Sequence, residues 1–283
     1  MKKSIKFFLG TCVTFIISKL QKIGIGRFIV DKILETIMNT EFHVKNEICD
    51  LRFLVPNSVN HMRGDTFFTK EPETLEWIDS MPESNILWDI GANVGIYSCY
   101  AAQTKNSTVY AFEPSVFNLE LLARNIFQND LTKKITIVTL PLYENITNST
   151  LNMTSLELGG ALSTFDKNFG DDGNVLKKIF EYRTIGISME DSLNLLKIPQ
   201  PDFIKMDVDG IEHIILKGGL SILNEVKGIL IEVNYDFEHQ ANEVSSILTQ
   251  AGLKLIDKRQ ADLISSSDRF GNTFNQIWKR IDA

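Results

Sequence analysis

Short apolar runs that stop at glycine alternate with stretches of helical spacing along most of this chain. Residues 86–90 (ILWDI) form a short apolar run ending at Gly91, which suits a buried parallel strand. Residues 96–102 read as a short apolar helix and 109–112 as the next strand. Leu119, Leu122, Ala123, Ile126 and Phe127 follow helical spacing after Pro114-Ser115, and 135–139 is a third strand. Residues 151–155 and 183–187 are further strands. Ser188-Met189-Glu190-Asp191 has capping-box spacing and opens a helix through Leu196. The pattern then gives a strand at 202–207, a helix at 211–217 stopped by Gly218-Gly219, and a strand at 228–233. A helix through Val244, Ile247 and Leu248 precedes two closing strands, 253–257 and 275–279. The sum is a seven-strand, mostly parallel α/β domain over residues 61–283, with helices on both faces and a hairpin-like end.

Residues 1–60 read as a helical, partly basic extension with a short strand, where Leu51, Phe53 and Val55 alternate. Residues 1–30 carry Lys2, Lys3, Lys6, Lys19, Lys22 and Arg27 and no acid. The apolar run 7–17 is too short to span a bilayer, which needs about twenty residues. It has the basic start and apolar centre of a signal peptide but no small-residue cleavage site. Ile29, Ile33 and Ile37 repeat at i, i+4, which favours a helix packed on the domain or on a second subunit. A basic segment lying on an anionic membrane surface is the alternative. Residues 63–69 read as a loop. Glu71-Pro72-Glu73 then opens a helix with Leu75, Ile78 and Met81 on one face.

Candidate chemistry concentrates on residues 86–115. Gly91 and Gly95 bracket a tight turn where the backbone can approach a ligand closely. Glu113 sits at the carboxyl end of the second strand, where open α/β sheets bind ligands. The turn lacks the G-x-G-x-x-G spacing of a dinucleotide site, and Asp89 just before it would repel a diphosphate. S-adenosylmethionine has no phosphate and carries a sulfonium and an amino group, so an acid beside the turn suits it. A second group of acids, Asp207, Asp209 and Glu212 with Glu232 ending the next strand, is expected beside the first. Its chemistry is acceptor binding, base catalysis or a hard divalent ion; the alternative is pairing with Lys205, Lys217 or backbone amides. His213 lies among Ile211, Ile214 and Ile215 and reads as a packed helix histidine as much as a base. The 166–182 stretch is polar and irregular, a solvated loop or a cover over the substrate.

A net charge of −7 argues against a general affinity for nucleic acid. Cys12, Cys49 and Cys99 are far apart and suggest neither a disulfide framework nor a zinc site, so a reducing, cytoplasmic setting fits, with peripheral membrane contact through residues 1–30 as the variant. A small-molecule or glycan acceptor and a homo-oligomer are the expected partners. Two other classes remain: a nicotinamide-dependent reductase, and a non-catalytic scaffold of the same fold.

LWDIGANVGIYS, VYAFEPS, PDFIKMDVDGIEHIILKGG and ILIEVN resemble the motifs of the FkbM-type S-adenosylmethionine-dependent methyltransferases, as do the upstream TKEPETLEWID and the middle LNMTSLELGGALSTF. The resemblance covers residues 63–279. It implies the class I methyltransferase (Rossmann-like) fold with strand order 3-2-1-4-5-7-6, and O-methylation of a sugar or natural-product hydroxyl. It also implies that Asp89, Gly91, Asn93 and Gly95, with Ala92 among them, hold the methionine side of the cofactor. Glu113, followed by Pro114, would hold the ribose.

Overall fold

The computed structural model describes residues 2–260 and 270–281. Two helices, α1 (Lys2–Leu20) and α2 (Gly24–Met38), lead into a hairpin of β1 (Glu41–Lys45) and β2 (Asp50–Leu54). Then follow α3 (Ser58–Asp65), α4 (Pro72–Asp79), β3 (Ile86–Ile90), α5 (Ile96–Thr104), β4 (Thr108–Phe112), α6 (Val116–Gln128) and β5 (Ile135–Val138). The middle of the chain forms β6 (Leu142–Tyr143), β7 (Thr147–Met153), β8 (Ser163–Phe165), β9 (Phe180–Ser188) and α7 (Met189–Asn194). The last part is β10 (Phe203–Met206), α8 (Glu212–Lys217), α9 (Leu220–Leu223), β11 (Gly228–Asn234), α10 (Glu238–Gln250), β12 (Leu253–Arg259) and β13 (Thr273–Arg280).

Seven strands make the central sheet in the order β12-β13-β11-β10-β3-β4-β5. All neighbours are parallel except β13, which runs antiparallel to both β11 and β12. Read from the other edge this is 3-2-1-4-5-7-6, the order of class I methyltransferases. Strand alternation decides which helices cover which face. Trp88, Ile90, Ile204, Met206, Ile229 and Ile231 pack with α8, α9 and α10. Leu87, Phe203 and Leu230 face the other way, toward α4, α5, α6 and the β1–β2 hairpin. Ser188 caps α7 as its spacing foretold: its hydroxyl accepts from the Asp191 amide at 2.9 Å and donates to the Asp191 carboxylate at 2.7 Å.

Several elements depart from the pattern read along the chain. Arg63 lies in a helix, not a loop, because Asn57 caps α3 by accepting from the Asn60 amide. On α6 the buried face is Asn118, Leu121, Leu122, Asn125 and Ile126, whereas Phe127 points to solvent. Asn125 satisfies buried backbone there: it accepts from Leu54 N and donates to Val94 O. A second sheet, β6-β9-β7-β8, lies beside the carboxyl ends of the main one. Its outer strand β8 falls in a stretch to which the sequence pattern assigned no element, and β9 begins at Phe180, inside the stretch read as irregular.

The largest difference is in α1 and α2. The i, i+4 isoleucines of α2 are not packed on the domain: Ile29, Ile33 and Ile37 are all exposed, and Gly26 is the buried residue of that helix. Gly26 is needed for a tight turn between the helices, where a Cβ would lie 2.0 Å from the Leu20 carbonyl oxygen. Among the described residues, no helix is long and apolar enough to cross a membrane.

Candidate active site

The chain passes from β3 outward to β4 and β5, then returns to β10 on the other side of β3. That reversal leaves a crevice at the carboxyl ends of β3 and β10, the usual ligand position in such sheets. The turn after β3 holds Gly91, Asn93 and Gly95 in the left-handed region, at φ of 82°, 51° and 80°. The need for glycine is set by packing as well as by any ligand. A Cβ on Gly91 would lie 1.8 Å from the Asp207 carbonyl oxygen, and one on Gly95 would lie 2.4 Å from Leu122 Cδ1. Gly91 and Ala92 amides both donate to the Phe112 carbonyl at 3.0 Å, which ties the turn to the end of β4.

Glu113 is the next residue. Its carboxylate accepts from the Asn93 amide at 2.8 Å and from the Ser115 amide at 2.7 Å. Burial pushes its pKa up to about 7, against those two amides, which favour the ionised form. Glu113 and Pro114 line a cleft open to solvent, with Phe112, Leu140, Leu142 and Phe165 among its apolar walls. The second sheet therefore closes one side of this cavity through Leu142, Leu151 and Phe165.

A strap formed by residues 158–160 runs along the cavity. Asn93 and Asn118 side chains both donate to the Gly160 carbonyl, Asn57 and Asn60 donate to Leu158 O, and Arg63 donates to Gly159 O at 2.7 Å. Asn93 Oδ1 is buried without a partner. Gly160 and Ala161 also line a second, adjoining cavity of about 430 Å³, open to solvent. The two cavities share Gly91, Asn93, Asp207 and Asp209.

The second cavity is charged. Lys205 is buried in the middle of β10 and lies opposite Asp89 in the register with β3. Its ammonium is 3.6 Å from both Asp89 Oδ1 and Asp207 Oδ2 and 5.3 Å from the centre of the Tyr97 ring. Burial would lower the Lys205 pKa, but the carboxylates of Asp207, Asp89 and Glu71 outweigh it and hold it above its usual range. Glu71 pairs with Lys70 at 2.5 Å. Burial would raise the Glu71 pKa, but Lys70 and Lys205 hold it below the usual carboxylate range. Glu232 lines the same cavity, and burial together with Asp207 and Glu71 pushes its pKa well up.

The expected acids thus divide. Asp207 keeps 29% of its side chain exposed at the junction of the two cavities. Asp209, at φ 62°, also lines both, but its carboxylate accepts from the Leu162 and Ser163 amides and so anchors the far end of the strap. Burial and the neighbouring Asp207 and Asp171 push its pKa well up. Asp89 lines neither cavity. Its side chain faces the helix layer, where it accepts from Ser98 at 2.5 Å, so it meets Lys205 rather than open space. Glu212 lies behind the site. It folds back to accept from the Val208 and Gly210 amides and from the Gln240 side chain, and burial raises its pKa to about 7. Gly95 gives clearance to Leu122 rather than lining the crevice. His213 packs edge-on to Phe237 and His239, and burial lowers its pKa to about 4.

Among the described residues, no group of three or more His, Cys, Asp or Glu side chains is arranged to hold a metal ion. Arg63, Lys70, Glu71, Tyr97 and Lys205 are the cavity residues that pattern reading passed over as site residues. Lys205 had a usable signal: a lysine inside FIKM must be paired if the strand is buried, and Asp89 holds the matching place in WDI.

The chain is 24% identical over 176 residues to the hexuronic acid methyltransferase AglP of Haloferax volcanii, a match covering 62% of this chain and 66% of that protein. Solved structures with a similar outline include a precorrin-6y C5,15-methyltransferase from Geobacter metallireducens, with a TM-score of 0.43 and 13% identity over 74% of this chain and 86% of that one. Another is the tRNA m1G37 methyltransferase of M. jannaschii, with a TM-score of 0.46 and 14% identity over 85% of this chain and 57% of that one. The family model for the methyltransferase FkbM domain matches residues 89–255, more than half of the chain, and on that match the protein belongs to the FkbM methyltransferase family.

Proposed function

We propose that this protein is an S-adenosylmethionine-dependent O-methyltransferase that acts on a hydroxyl of a sugar, glycan or small metabolite. The observation that carries the reading is the pair of joined cavities: an apolar one with the Glu113 carboxylate at its wall, opening at Asp207 into a charged one. The first suits an adenosine. Phe112, Leu140, Leu142 and Phe165 offer apolar surface to a base, and Glu113 offers acceptor oxygens to a ribose diol. Asn93 Oδ1, buried and unpartnered, is an acceptor for a ligand N–H. Carboxylates around the junction favour a cationic ligand and oppose a pyrophosphate, which counts against a nicotinamide dinucleotide.

When bound, the cofactor supplies a methyl group made electrophilic by its sulfonium. The chain must then align the acceptor oxygen and take its proton. Asp207 is the partly exposed acid at the junction, and we assign it as the base that receives that proton as the oxygen–carbon bond forms. Lys205 holds the Asp207 carboxylate in place from behind. Arg63 and Lys70 line the acceptor cavity and offer positive charge to a sugar acid, the acceptor class named in the Haloferax relative.

The test is transfer of labelled methyl from S-adenosylmethionine to uronic-acid and neutral-sugar oligosaccharides, with calorimetry of the cofactor and of NAD in parallel. Label in a sugar and binding of S-adenosylmethionine alone support the reading. Binding with no transfer to any sugar would overturn the acceptor class, and binding of NAD instead would overturn the cofactor.

A further inference from the structure

We infer that the α1–α2 pair is a docking element for an anionic lipid surface, an inference independent of the methyl-transfer reading. Fourteen large apolar side chains between Ile5 and Ile37 are exposed, among them Phe7 at 79% and Ile25 at 73%. Phe7, Phe8 and Leu9 are consecutive and all exposed; steps of about 100° per residue in a helix put them on different sides of α1. Among the described residues of α1, only Cys12, Ile17 and Leu20 are half-buried, and none is fully buried. On α2 a shallow apolar groove runs along Phe28, Ile29, Ile33 and Ile37. Contiguous apolar surface of this kind marks a site that something covers.

Charge identifies the covering partner. Residues 1–38 hold seven Lys and Arg against Asp31 and Glu35, with no acid before residue 31, so the whole-chain charge of −7 divides into +5 on this arm and −12 on the remainder. The cations also have an order. Lys2, Lys3 and Lys6 precede a charge-free stretch, 7–18, and Lys19, Lys22 and Arg27 follow it. That stretch is about 18 Å long as a helix, against a hydrocarbon core of about 30 Å. It is too short to cross and suits a helix sunk at the level of the headgroups, with Lys19 and Lys22 at its carboxyl end to meet phosphates. A second copy of the arm would bring the same positive charges together instead. The remaining body, at −12, is repelled by the same surface, which leaves the arm as the contact.

Sedimentation of the full-length protein with vesicles tests this. We expect binding to equimolar phosphatidylcholine and phosphatidylglycerol and little to phosphatidylcholine alone, with release at high salt. Phe8→Glu with Ile16→Glu should abolish binding. Lys19→Gln with Lys22→Gln should weaken it by about 25-fold, at about five-fold per cation. The thermal transition of the body should be unchanged in both, which separates a docking role from a folding one. Protein that stays in the supernatant with both vesicle types overturns the inference. So does equal binding to neutral vesicles, or a dimer that forms without lipid and dissociates in the Phe8→Glu/Ile16→Glu protein.

Discussion

The two halves of the crevice are built differently. The side assigned above to the cofactor takes its turn and its ribose acid from one continuous stretch, in which β3, the glycine turn, β4 and Glu113 follow each other in the chain. Its walls are mostly apolar away from the junction, and Glu113 is held there by two backbone amides. The acceptor side collects Arg63, Lys70, Glu71, Tyr97, Lys205 and Glu232 from five separate elements and connections, and it is bound together by charge. A site fixed by local backbone geometry tolerates loss of one side chain as a loss of affinity. A site fixed by buried charges loses stability when one charge is removed, because the partner is left unpaired.

Three changes probe that contrast, in decreasing order of effect. Gly91→Val should prevent folding or cost at least about 4 kcal/mol, since both the positive φ and the Asp207 carbonyl oppose any side chain there. Denaturant titration measures it, and near-normal stability would mean that the turn is not tied to β10 as described. Lys205→Met should cost about 3–5 kcal/mol in the same titration, because Asp89 and Asp207 lose their shared cation. A cost under about 1 kcal/mol would show that the acceptor side is solvated rather than held by charge.

The smallest effect is a pH dependence confined to the cofactor side. Glu113 in the ligand-free protein has its pKa raised to about 7, so it is largely protonated at pH 6 and ionised at pH 8. Ribose hydroxyls need the ionised acceptor. Affinity for S-adenosylmethionine should therefore rise by about ten-fold between those values and level off above them. Calorimetry at several pH values checks this, and Glu113→Gln should flatten the profile.

The same contrast explains what could be read in the chain beforehand. The central strands, the glycine turn and Glu113 were legible because apolar runs, left-handed turns and strand ends are local features. The acceptor side was not, because its residues meet only after folding. Arg63 was hidden in a capped helix read as a loop. Glu212 looked like a site acid by proximity to Asp207, yet a turn of four residues directs it backward onto the Val208 and Gly210 amides. Asp89 precedes the turn by two residues, and strand alternation sends it toward α5. In α2 the spacing of Ile29, Ile33 and Ile37 correctly marks one face, but periodicity does not say what covers it.

The division of labour within the crevice is tested most directly by one paired measurement: cofactor affinity and methyl-transfer rate in Glu113→Ala and Asp207→Asn. Glu113→Ala should weaken S-adenosylmethionine binding by about 1–3 kcal/mol. Asp207→Asn should leave affinity within about three-fold and lower turnover by about 10²–10⁴. Equal losses of affinity in the two proteins, or full turnover in Asp207→Asn, would contradict it.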